Sequence, residues 1–70
     1  MLFIREYRKK KKLTQNDVAL AVGVTQSMVA KWENDKNYPP VDVLIKLSDL
    51  FCCTIDELVR GEKGENKNVL

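Results

Sequence analysis

Apolar residues along this chain recur at intervals of three and four, and nothing alternates like a strand over more than a few positions. The pattern predicts five short helices. The first is expected over about Leu2 to Lys11, with Ile4, Tyr7 and Arg8 on one face and the aliphatic stem of Lys11 extending it. The second covers about Gln15 to Val22. Thr14 is a good N-cap for it, and Asp17 three residues later completes a T-x-x-D capping box, with its acid near the positive end of the helix dipole. Gly23 closes that helix, and Thr25 caps a third over about Gln26 to Asn34. The third buries Val29 and Trp32 and turns Gln26, Ser27, Met28, Ala30 and Lys31 to solvent. Pro39 and Pro40 fix a turn into a fourth helix, about Val41 to Phe51, which buries Leu44, Leu47 and Phe51. Thr54 with Glu57 is another capping box and opens a fifth, about Ile55 to Val59, which stops before Gly61. Residues 61–70, GEKGENKNVL, are polar with two glycines and are expected to form a flexible tail behind a folded domain of residues 1–60.

The stretch 15–34, QNDVALAVGVTQSMVAKWEN, says more than amphipathicity. Ala19 is small where the second helix must be crossed closely. Gly23 supplies the positive φ that ends this helix without steric cost. Val18, Val22, Val24, Val29 and Trp32 then hold the two helices as a rigid corner. That is the geometry by which a helix-turn-helix lays its second helix in the DNA major groove.

Seventy residues make one domain near the lower limit for a single core, and 44% hydrophobic with 31% charged residues is ordinary for a helical globular chain. The net charge of +2 says little, but its distribution is polar. Residues 1–12 carry six cations, Arg5, Arg8, Lys9, Lys10, Lys11 and Lys12, against Glu6 alone, while residues 13–60 are net acidic. A face toward phosphates would be built this way. A lysine run that only complements the first helix's C-terminal dipole would look the same.

Cys52 and Cys53 are adjacent, so a bridge between them would strain the intervening peptide. With no histidine in the chain they are also too few for a zinc site, and they are expected to be reduced thiols of a cytoplasmic protein. Met1 to Ile4 is too short for the core of a signal peptide, and no apolar run reaches membrane-spanning length. No metal, cofactor or small-molecule ligand is expected. An enzyme finds no support: there is no histidine, no phosphate-cradling glycine loop and no carboxylate pair with a pocket to serve.

Five helices in this order, with I-R-E-Y-R at 4–8, L-T-Q at 13–15, V-A-x-x-V-G-V-T-Q-S at 18–27, K-W-E-N at 31–34 and F-C-C-T-I-D-E-L at 51–58, resemble the Cro/CI-type helix-turn-helix family of phage repressors and Xre-like bacterial regulators. The resemblance covers about residues 4–60. It implies a compact, all-α, five-helix, lambda-repressor-like DNA-binding domain. In similar proteins the residue at Gln15 starts the second helix and binds a phosphate, and an arginine at Arg8 often pairs with a glutamate at Glu33. That pair is expected here, as an orienting contact between the first and third helices. Four positions depart from the family pattern. Lys12 stands where glycine or asparagine is common, Pro40 where a serine cap is frequent, and Cys52 and Cys53 replace glycine or asparagine and then valine.

By register, Gln26, Ser27 and Lys31 are expected to face base edges, with Met28 and Ala30 beside them to touch thymine methyls. Gln15, Thr25, Asn34 and Lys36 are the expected phosphate contacts, with Arg8 or Lys9 as additions. Thr14 and Thr25 serve equally as caps, and one hydroxyl can fill both roles. Ala19, Gly23, Val29, Trp32 and Glu33 are read as structural. Val41, Ile45, Leu50 and Leu58 exceed what one small core needs, so a dimer surface is expected among them. The leading reading is therefore a homodimeric regulator of transcription that represses by occluding a promoter at a near-palindromic operator in double-stranded DNA. The alternative is an antitoxin-like module that binds a partner protein through its acidic half; one fold serves both.

Overall fold

The structure, a computed structural model, describes residues 2–61. Among these residues five helices follow one another: α1 (Ile4–Lys10), α2 (Gln15–Val22), α3 (Gln26–Glu33), α4 (Val41–Phe51) and α5 (Ile55–Arg60). No strand occurs among the described residues, and no helix there is long and apolar enough to cross a membrane. The flexible tail expected for 61–70 lies outside the described residues except for Gly61. That glycine ends α5 at φ 97° and is buried, with the Phe3 ring 3.1 Å from where its Cβ would stand.

Both expected capping boxes form. Thr14 Oγ1 accepts the Asp17 N–H while Asp17 accepts the Thr14 N–H, and Thr54 and Glu57 do the same at the start of α5. Helix α4 starts behind Pro40 without a side-chain cap, as a proline at that position dictates. Helix α1 begins two residues later than the periodicity suggests. The Phe3 N–H donates instead to the Leu58 carbonyl at 2.8 Å, which ties the entry of α1 to α5 and buries Leu2.

The core gathers Leu2, Ile4 and Tyr7 with Val18, Ala19 and Val22, Val29 and Trp32, Val43, Leu47 and Phe51, and Leu58. Two expectations are corrected. The inward row of α4 is Val43, Leu47 and Phe51, with Leu44 only partly buried. Leu58 is fully buried and Leu50 partly so, which leaves Val41 and Ile45 of the proposed dimer row at the surface. Helix α2 packs most extensively on α3, and its Ala19 is buried.

Among the described residues, three other than glycine adopt left-handed backbone: Lys12 (φ 60°), Asp35 (φ 58°) and Cys52 (φ 55°). Lys12 follows the end of α1, and Cys52 caps α4 with its N–H to the carbonyls of Ser48 and Asp49. At both points the chain turns sharply, so the departures from glycine noted in the sequence fall on backbone that glycine would adopt without strain.

Candidate nucleic-acid interface

Helix α3 is held at both ends and along one side. Gly23 takes φ 81°, and its N–H and that of Val24 both reach the Ala19 carbonyl at 2.9 Å, which ends α2 and redirects the chain. Thr25 Oγ1 then accepts the Met28 N–H at 3.3 Å. Val29 and Trp32 are buried to within 1%. The opposite side is open: Gln26, Ser27, Met28 and Lys31 are exposed and Ala30 is half-buried.

Glu33, on the inner side of α3, is the hub of the polar structure. Its side chain is fully buried and accepts from three residues. Arg8 Nε donates to Oε2 at 2.8 Å and Arg8 Nη2 to Oε1 at 3.2 Å. Arg5 Nε and Gln15 Nε2 also donate to Oε1, at 3.2 and 3.1 Å. Burial pushes the Glu33 carboxyl up, but the hydrogen bonds from Arg8, Gln15 and Arg5, with the Arg8 charge, together hold it below the usual glutamate range. Asp17 is also lowered, first by the Thr14 backbone N–H and then by its hydroxyl.

The Arg8–Glu33 pair inferred from the family resemblance is thus present, with two partners that the sequence reading did not assign. Arg5 lies three residues before Arg8 on the same helix, a spacing that offered a signal. Gln15 turns its amide inward to Glu33, and its Oε1 accepts from Gln26 Nε2 at 2.9 Å. That bond joins the first residues of α2 and α3 and depends on how these helices cross, so no spacing rule announces it.

The remaining candidates divide by location. Thr25 is the α3 cap just described. Asn34 caps the other end, with Nδ2 donating to the Ala30 carbonyl at 2.9 Å. Lys36 and Lys9 are exposed. Arg8 is turned inward: its Nη1 donates to the Leu13 carbonyl at 2.9 Å in addition to its bonds to Glu33. A groove of about 450 Å³ lies between Tyr7, Lys10, Lys11, Phe51, Cys52, Cys53 and Glu57, and none of the candidate residues lines it. Lys11 Nζ sits 3.6 Å from Cys52 Sγ there. No cluster of three or more metal-ligating side chains occurs among the described residues.

Comparison with known proteins places this arrangement in context. A family model described as helix-turn-helix matches residues 4–58. The chain is 38% identical over 60 residues to the HTH-type transcriptional activator BcrR of Enterococcus faecalis, covering 86% of this chain and 29% of that protein. It is 34% identical over 62 residues to repressor protein C2 of Salmonella phage P22, covering 89% of this chain and 29% of the repressor. With the HTH-type transcriptional regulator AnsR of Bacillus subtilis it shares 37% identity over 60 residues, 86% of this chain and 52% of AnsR. The chain therefore spans from under a third to about half the length of these relatives. Among solved structures it superposes on the P22 c2 repressor in complex with a synthetic operator with a TM-score of 0.79 at 34% identity, over 84% of this chain and 89% of that one.

Proposed function

Because the chain belongs to the helix-turn-helix family of Xre-like, Cro/CI-type transcriptional regulators, which bind DNA and are not enzymes, we propose that it reads an operator in double-stranded DNA with α3 in the major groove. The observation that carries this reading is the outward row Gln26, Ser27 and Lys31 on a helix whose other side is fixed by Val29, Trp32 and Glu33. Gln26 suits adenine N6 and N7, Lys31 suits guanine O6 and N7, and Met28 and the half-buried Ala30 offer carbon to thymine methyls.

Phosphates are met by Gln15 at the start of α2, by Thr25 and Asn34 at the two ends of α3, and by Lys36 and Lys9. Arg8 is left out of that set, because its guanidinium serves Glu33 and the Leu13 carbonyl, whereas Gln15, whose amide serves Glu33 and Gln26, meets its phosphate through the N-terminus of α2. The regulator acts as a homodimer on a near-palindromic site, with two recognition helices about 34 Å apart. It represses by covering a promoter; the P22 relative is named a repressor and the Enterococcus relative an activator.

Selection of bound sequences from a random DNA pool yields the half-site and its spacing. An electrophoretic shift on that operator with Gln26→Ala and Lys31→Ala combined then tests the reading face. Loss of sequence preference is expected. Unchanged affinity and preference would remove α3 as the reader.

A further inference from the structure

The hydrogen bonds running from Glu33 to Gln26 have a direction, and that direction bears on which base Gln26 accepts. A carboxylate only accepts, so the Gln15 amide must turn its NH₂ toward Glu33, as it does at 3.1 Å. Gln15 then has its oxygen toward α3, and Gln26 must answer with an N–H, as it does at 2.9 Å. One of the two Gln26 N–H groups is thereby occupied. What remains to face the groove is one N–H and one carbonyl, the pattern that matches N7 and N6 of adenine.

Were the Gln15 amide reversed, Gln26 would give its oxygen to Gln15 and offer two N–H donors outward. That pattern matches the two acceptors of guanine, O6 and N7. Arg5 and Arg8 also donate to the carboxylate, twice to Oε1 and once to Oε2, and hold its headgroup in place.

We propose that Glu33, which is buried and reaches no base, is a specificity-determining positioning residue: through Gln15 it fixes the polarity of the Gln26 amide and so selects adenine over guanine at the base Gln26 meets. This rests on the reading of α3 as the base-contacting helix. The motif-level expectation assigned Glu33 only to orienting one helix on another.

The test is selection of bound sequences by the full chain and three variants, after Gln26→Ala has identified the operator position whose preference depends on Gln26. Gln15→Lys keeps a donor against Glu33 but also presents a donor, in place of an oxygen, to Gln26, and should turn that position from adenine to guanine. Gln15→Leu cuts the relay while leaving the Arg8–Glu33 pair, and should reduce the adenine-to-guanine ratio there about three- to tenfold, the worth of one hydrogen bond. Glu33→Gln, with melting measured alongside, should reduce the same ratio. Gln15 is itself assigned to a phosphate, so overall affinity is not the readout; base preferences elsewhere in the half-site should hold for all three, which a merely loosened fold would not produce. Adenine retained by Gln15→Lys, or an unaltered ratio in Gln15→Leu or in Glu33→Gln, overturns the relay while leaving the reading helix standing. If Gln26→Ala erases no preference at any position, the reading face and the relay fall together.

Discussion

Glu33 shows how one residue can be costly to bury and still indispensable once buried. A pair such as Arg8–Glu33 offers little net stability over an apolar substitute of equal size, yet removing one partner strands the other's charge. Arg8→Met should therefore lower the unfolding free energy by about 2–4 kcal/mol, somewhat under the usual cost because Arg5 still reaches Oε1, as chemical denaturation will measure. The pH dependence follows from the same contacts. A carboxyl whose folded value is depressed contributes fully above its unfolded value of about 4.3, and that contribution is lost as pH falls through the folded value. Melting temperature should thus decline below about pH 4.3, and less steeply in Glu33→Gln. At this scale the sequence was partly transparent. The Arg8–Glu33 pair was inferable from motif positions, whereas the Arg5 and Gln15 bonds to Glu33 require three helices to be in place first.

Among elements, the ends are better encoded than the faces. Helices α2 and α4 begin and end where local chemistry places them, between Thr14 and Gly23 and between Pro40 and Cys52. Each signal there lies within four residues of the boundary, so a linear reading suffices. The start of α1 was missed because its competitor is distant, the Leu58 carbonyl that takes the Phe3 N–H. Along α4 the expected Leu47 and Phe51 are buried, but Val43 takes the inward place expected of Leu44, since periodicity gives a stripe but not which neighbour claims its edge. The termini also give opposite predictions for two residues in left-handed backbone. Gly23→Ala meets no atom within 4 Å and should cost only the strain of its φ, about 1–2 kcal/mol. Cys52→Gly relieves such strain at the end of α4 and should raise stability by about 0.5–1 kcal/mol, net of glycine's entropy, in thermal melts.

For the molecule as a whole, charge and exposed apolar surface carry the remaining expectations. Lys9 and Lys36 are exposed and assigned to phosphates, so replacing both by alanine should weaken binding to all sequences alike. It should also reduce the slope of log affinity against log salt by about 2 in a titration series. Val41 and Ile45 are 70% and 48% exposed and lie one turn apart on α4. Ile45→Glu should shift sedimentation toward monomer and weaken operator binding while leaving the melting temperature nearly unchanged. The class of fold was readable from end to end because helix signals are local, but how much of Val41, Ile45, Leu50 and Leu58 stays outside was not. Burial of Leu58 is settled only when α5 closes against the entry of α1.

The outward side of α3 is unevenly constrained. Gln26 is wired through Gln15 to a buried carboxylate, whereas Ser27 and Lys31 make no side-chain hydrogen bond among the described residues. If α3 reads the operator as proposed, a descendant of this chain drifting toward a new operator has two dials that turn freely and a third geared to the interior. Retuning at Ser27 and Lys31 can proceed by single substitutions, while a change at Gln26 must be matched by a compensating one at Gln15.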